Sequence, residues 1–160
     1  MIEKIKLIVS EVDGIITCGR TFYDELTNTP LKEYSFVDFE VINLLKKEFD
    51  FVFLSASNEV NYNLMRKKNI PFYWAPKDKK QTLLKILERY EVTPEEVLYL
   101  GCTYSDIPCM NYIPVSLATD RSPASVQASA IMVLGVTHCS VLAELYELIK
   151  EEIARRQRCS

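Results

Sequence analysis

Short, uninterrupted apolar runs separated by amphipathic stretches organise this chain. Ile5-Lys6-Leu7-Ile8-Val9, 51–54 (FVFL), 97–100 (VLYL), 115–118 (VSLA) and, more weakly, 131–134 (IMVL) are brief and rich in β-formers. Runs without polar alternation predict strands covered on both faces. Between them, Val41, Leu44, Leu45 and Glu48 fall at helical spacing within 38–48, and 58–68 reads as a second helix. Leu83, Leu84, Ile86 and Leu87 place another over 78–90, and 140–157 is a long amphipathic closing helix. Thr93-Pro94-Glu95-Glu96 has the form of a capping box with proline at the first helical position, predicting one short helical turn before VLYL. Strands alternating with helices predict an α/β fold: a three-layer sandwich whose mainly parallel, Rossmann-like sheet has helices on both faces.

One segment breaks the alternation. Residues 20–36, RTFYDELTNTPLKEYSF, read as two short strands around Thr27-Asn28-Thr29-Pro30. A β-hairpin directly after the first strand would overhang that strand's carboxyl end, where open α/β sheets bind ligands. No repeat or linker divides the chain, so 1–160 is expected to be one domain.

Composition narrows the function classes. Of the 160 residues, 48% are hydrophobic and 26% charged, and 19 basic against 22 acidic side chains give a net charge of −3. That balance lacks the basic footprint of a nucleic-acid binder. Arg155, Arg156 and Arg158 suit the C-terminal end of a helix, whose dipole favours cations. No apolar run approaches the roughly 20 residues of a membrane span, and MIEKIK leads into the first strand without a signal-peptide pattern. Five cysteines (Cys18, Cys102, Cys109, Cys139 and Cys159) form no CxxC or finger-like spacing. Reduced thiols and a cytoplasmic location are therefore expected, not zinc or a disulfide framework. His138 is the single histidine, so any Ser-His or Cys-His mechanism would have to pass through it.

The ends of the strands carry the candidate chemistry. The first runs into Glu11-Val12-Asp13-Gly14, and the second ends at Ser55. Lys79 opens the helix after 72–75, and VLYL leads into Gly101-Cys102-Thr103-Tyr104-Ser105-Asp106. In a parallel sheet these side chains converge on one edge. Carboxylates, a hydroxyl and an ammonium together suit phosphoryl transfer, which needs a carboxylate nucleophile, an acid for the leaving oxygen, donors for the phosphoryl oxygens and carboxylates for a magnesium ion.

In this order, the motifs resemble those of the haloacid dehalogenase superfamily of phosphatases. Within it they resemble the capless branch of 3-deoxy-D-manno-octulosonate 8-phosphate phosphatase and of the C-terminal domain of CMP-sialic acid synthetases. EVDGIITCG, Glu11 to Gly19, is similar to the branch's DVDGVLTDG; Ser55 stands at its Thr/Ser motif, Lys79 at its lysine, and Gly101 to Asp106 at GDDxxD. The resemblance implies a nucleophile at Glu11, a general acid at Asp13 and phosphoryl binding by Ser55 and Lys79. It implies magnesium held by the Glu11 carboxylate, the Asp13 backbone carbonyl and the first Asp of GDDxxD, which is Cys102 here, with Asp106 as the remaining carboxylate.

Several positions depart from the pattern. Glu11 replaces an aspartate, Cys102 and Thr103 replace the paired aspartates, and Val37-Asp38-Phe39 stands where the branch has Arg-Asp-Gly. A closing Gly-Gly-Arg-Gly corresponds to Thr137-His138-Cys139-Ser140. The extra methylene of Glu11 moves the attacking oxygen by about 1.5 Å, and in-line attack loses on the order of a hundredfold for an error of about 1 Å. Magnesium also prefers hard oxygen ligands to a thiol. The expectation is therefore a phosphatase-like protein with a degenerate site, weak or absent magnesium binding, and a role as an oligomeric binding or scaffolding subunit. The alternative is an active magnesium-dependent phosphatase of a phosphorylated acidic sugar or another small phosphate ester. Phe22, Tyr23, Leu31, Tyr34 and Phe36 on an uncapped hairpin predict a homo-oligomer, and the resemblance implies a tetramer.

Overall fold

The structure, a computed structural model, describes residues 2–57, 60–135 and 140–158. Strand β1 (Leu7–Ser10) is followed by a hairpin, β2 (Phe22–Tyr23) and β3 (Pro30–Leu31), and by helix α1 (Phe36–Leu45). β4 (Asp50–Ser55), α2 (Asn61–Lys67), β5 (Phe72–Trp74) and α3 (Lys79–Tyr90) come next. The second half adds β6 (Val97–Leu100), α4 (Ile107–Met110), β7 (Val115–Thr119), α5 (Ala124–Gln127), β8 (Met132–Leu134) and α6 (Val141–Gln157).

Six strands form one sheet in the order β5-β4-β1-β6-β7-β8. Every pairing in it is parallel. β1 lies inside the sheet, with Ser10 paired to Phe53 on one side and Leu100 on the other. Because side chains alternate across a strand, β1 feeds two cores. Ile8 joins Val41, Ile42 and Leu45 of α1 and Leu142, Leu145 and Ile149 of α6 on one face. Leu7 and Val9 join Leu83, Ile86 and Leu87 of α3 and Met110 of α4 on the other. These are the three layers expected from the apolar runs.

The capping box forms as read: the Thr93 N–H donates to Glu96 Oε2 at 2.9 Å, and a single 3-10 turn occupies 94–96. The hairpin is shorter than expected. Only Phe22–Leu31 and Tyr23–Pro30 pair. Its turn is closed by backbone bonds between Asp24 and both Asn28 and Thr29, and by the Asp24 carboxylate, which accepts the N–H groups of Leu26 and Thr27 and the Thr27 hydroxyl. This side chain rivals strand pairing for backbone donors, and Pro30 has no N–H to contribute. Helices α4 and α5, four residues each, are too short for periodicity to reveal. The lone His138 and the segment Thr137-His138-Cys139 lie outside the described residues.

Candidate active site

Parallel strands β1, β4 and β6 all end at one edge, and that placement brings together Glu11, Asp13, Ser55, Lys79, Cys102 and Asp106. Glu11 continues β1 by one residue, its N–H bonded to the Leu100 carbonyl at 2.9 Å. Lys79 enters from the first turn of α3, where Asp78 caps the helix by accepting the Gln81 N–H at 3.0 Å. Its ammonium lies between the Glu11 carboxylate and Asp106 Oδ1, the latter at 2.6 Å, with only 1% of the Lys79 side chain exposed.

Asp106 is saturated. Oδ1 accepts from Lys79 and from the Tyr99 hydroxyl at 2.7 Å. Oδ2 accepts the N–H groups of Cys102 and Thr103 and the Thr103 hydroxyl, at 2.9–3.0 Å. The aspartate thus closes the loop after β6 on itself. Glu11 Oε1 accepts the Val12 N–H at 2.7 Å, and Oε2 faces Lys79. Burial raises the Glu11 carboxyl pKa; Lys79 opposes the rise, Asp106 reinforces it, and a hydrogen bond from Ser55 also opposes it. Burial by itself would lower Lys79, but Glu11 and Asp106 outweigh it and raise its pKa.

Asp13 is held as firmly. Its carboxylate accepts from Lys32 Nζ at 2.9 and 3.0 Å, Asn61 Nδ2 at 3.1 Å and the Thr17 hydroxyl at 3.0 Å. Lys32 comes from the hairpin, its side chain 1% exposed, and also donates to Ser57 Oγ at 3.2 Å. Lys32 and Asn61 were missed in the sequence. A lysine in the exposed-looking hairpin and an asparagine starting a helix carry no signal until the hairpin folds over β1. Tyr34, counted among the hairpin aromatics, turns inward instead: its hydroxyl donates to Asn61 Oδ1 at 2.7 Å.

The Cys102 thiol donates to the Asp13 backbone carbonyl at 2.7 Å. Burial, with Asp106 and Glu11 adding to it, pushes this thiol's pKa far up, so it stays protonated. Gly14 makes the contact possible. Its φ is +90°, and a Cβ there would sit 2.6 Å from Cys102 Sγ.

The oxygens that the sequence pattern assigned to magnesium are each engaged: Glu11 by Val12 and Lys79, the Asp13 carbonyl by the thiol, and Asp106 by its loop. Among the described residues, no three His, Cys, Asp or Glu groups are arranged to hold a metal ion.

Solved structures resemble this architecture across its length. A protein of Streptomyces avermitilis described as a HAD family hydrolase aligns at 25% identity over 91% of each chain, with a TM-score of 0.82. The chain has the fold of the haloacid dehalogenase hydrolases. The cobalt-bound deoxy-D-mannose-octulosonate 8-phosphate phosphatase of Haemophilus influenzae aligns at 22% identity over 94% of this chain and 90% of that one, with a TM-score of 0.83. The 3-deoxy-D-manno-octulosonate 8-phosphate phosphatase of Moraxella catarrhalis, solved with magnesium, phosphate and 3-deoxy-D-manno-octulosonate, aligns at 18% identity over 92% and 87%, with a TM-score of 0.84. No family model matches the sequence, and no curated protein matches it. The resemblance read from the motifs is borne out as a haloacid dehalogenase fold carrying a hairpin after β1. No helix is long and apolar enough to cross a membrane, among the described residues.

Proposed function

We propose that this chain is a phosphatase-fold protein whose site is neutralised by its own side chains, leaving it weak or inactive in phosphate-ester hydrolysis and suited to act as an oligomeric binding subunit. The observation that carries this reading is the Cys102 thiol seated on the Asp13 carbonyl. A neutral donor stands where a metal-binding carboxylate would, and it engages one of the two lone pairs of the carbonyl that a cation would use. The Glu11–Lys79–Asp106 cluster supports it. The ammonium that would meet a phosphoryl oxygen is already shared between two buried carboxylates. Asp13, the candidate acid, is clamped by Lys32, Asn61 and Thr17.

Subunit assembly is proposed through the hairpin and the start of α1. Leu26 is 96% exposed and Phe36 73%, with Phe22, Tyr23 and Leu31 about half exposed beside them. An apolar surface of this kind on a soluble chain marks an interface, and a homotetramer is the proposed form.

The second reading, a magnesium-dependent phosphatase of a phosphorylated acidic sugar, draws on one observation. Asp13, Ser55 and Lys79 occupy the same sheet edge in a fold shared with sugar-phosphate phosphatases. Phosphate release from sugar phosphates and an aryl phosphate, with and without magnesium, separates the two. Near-background release by the unmodified chain, with turnover gained by Glu11→Asp combined with Cys102→Asp, is the expected result. Single variants recover much less, because groups that act as a unit are non-additive. Brisk magnesium-dependent release by the unmodified chain would promote the phosphatase reading.

A further inference from the structure

The cations around the sheet edge divide sharply by availability. Lys79 and Lys32 are buried and spent on carboxylates. Arg121 is exposed, and among the described residues it has no hydrogen bond or ion pair. It stands just past the carboxyl end of β7, at the tip of a braced turn. The Thr119 and Ser122 hydroxyls bond at 3.1 Å, and the Gln127 amide donates to the carbonyls of Asp120 and Ser122 at 3.1 and 2.7 Å. Thus, among the described residues, the side chain has no partner while its backbone is held.

Arg121 also lines two adjoining cavities. One, about 210 Å³, reaches Asp13, Gly14 and Cys102; the other, about 460 Å³, runs along Ile15–Cys18 toward Glu33 and Ser35. Cys18 and Arg121 are common to both, and Arg121 is the one basic side chain among their lining residues. The larger is within the range of small-molecule sites, roughly 300–1,000 Å³. A guanidinium presents a planar fork of donors that pairs bidentately with a carboxylate or phosphate.

We propose that Arg121 is the anion-binding position of this chain, taking the carboxylate or phosphate group of a small ligand at the mouth of the two cavities. The ligand's polar body then lies along the larger one, where the Glu33 carboxylate, without a hydrogen bond or ion pair among the described residues, accepts hydroxyl donors. The proposal rests on the reading that Lys79 is closed to ligands. Its test measures binding and not turnover, so a failure here is distinct from a failure of that reading.

Titration calorimetry with inorganic phosphate, D-gluconate and uncharged sorbitol provides the test, on the unmodified chain and on Arg121→Ala, Arg121→Lys and the remote Arg66→Ala. Saturable binding of at least one anion and none of sorbitol is expected; phosphate or gluconate alone identifies the preferred group. Arg121→Ala weakens that binding about tenfold or more, the scale of a lost charge-assisted bidentate contact. Arg121→Lys retains part of it, since a point charge replaces the fork, and Arg66→Ala leaves it unchanged. Circular dichroism checks that each variant is folded. If the unmodified chain binds neither anion, or Arg121→Ala binds as tightly, the proposal is overturned.

Discussion

Replacing Lys79 with methionine tests the buried charge cluster. The lysine side chain is 1% exposed, Glu11 3% and Asp106 0%, so water cannot take the place of the ammonium without opening the core. Asp106 would keep Tyr99, the Cys102 and Thr103 N–H groups and the Thr103 hydroxyl. Glu11 would keep only the Val12 N–H and the help of Ser55. The deficit therefore falls mainly on Glu11. Breaking a buried ion pair from one side costs about 3–5 kcal/mol, and a loss of that size is expected at pH 7 from urea unfolding of Lys79→Met. Adding Glu11→Gln removes the stranded charge and should return most of the loss, a coupling that a double-mutant cycle reads directly. The sign with pH is fixed. A carboxyl whose folded pKa is raised binds more protons folded than unfolded, so the variant's stability falls as pH rises above the ordinary 4.5 of glutamate. Its deficit accordingly shrinks in acid. In the unmodified chain, Lys79 contributes stability below its ordinary 10.5, which is lost as pH rises through its raised folded value. A Lys79→Met loss under about 1 kcal/mol at pH 7, or one undiminished by Glu11→Gln, would refute the reasoning.

Three further outcomes are expected. Asp38, buried where Ser140 Oγ donates to it at 2.6 Å, has its carboxyl pushed up by burial from 3.8 to about 6. The folded state therefore holds the proton longer, stability falls as pH rises from about 4 to 6, and Asp38→Asn should flatten that slope in denaturant unfolding. Gly14→Ala should cost about 1–3 kcal/mol, from a positive φ and the clash with Cys102 Sγ. Cys102→Ala in the same chain would return only the steric part. Phe36→Glu with Leu26→Glu should shift light scattering toward the 18.5 kDa monomer; an assembly untouched by both would remove the hairpin from the interface.

The motif residues were legible because each strand announces its own end. Leu7-Ile8-Val9, FVFL and VLYL are apolar on both faces, so the polar residues that follow them lie at the sheet edge, as Glu11, Ser55 and the loop to Asp106 do. What sequence could not supply was which partners those groups find. Lys32 reaches Asp13 only because the hairpin, stapled by Asp24 more than by strand pairing, folds over the edge. Asn61 looks like an ordinary helix-start residue until its amide meets Asp13. Arg121 sits in Thr-Asp-Arg-Ser-Pro, which reads simply as a turn; its meaning comes from cavities that exist only after β1 and β7 are brought together. Cys102 was read as a lost ligand. The structure adds that its thiol is a donor to the Asp13 backbone carbonyl.

Magnesium binding measures the central claim most directly. Titration calorimetry on the unmodified chain should give no saturable heat at millimolar magnesium, because the Asp13 carbonyl, Glu11 and Asp106 are held by Cys102, Lys79 and the loop after β6. Glu11→Asp with Cys102→Asp, under the same conditions, should bind. Tight magnesium binding by the unmodified chain, undisturbed when Cys102 is replaced, would contradict the account.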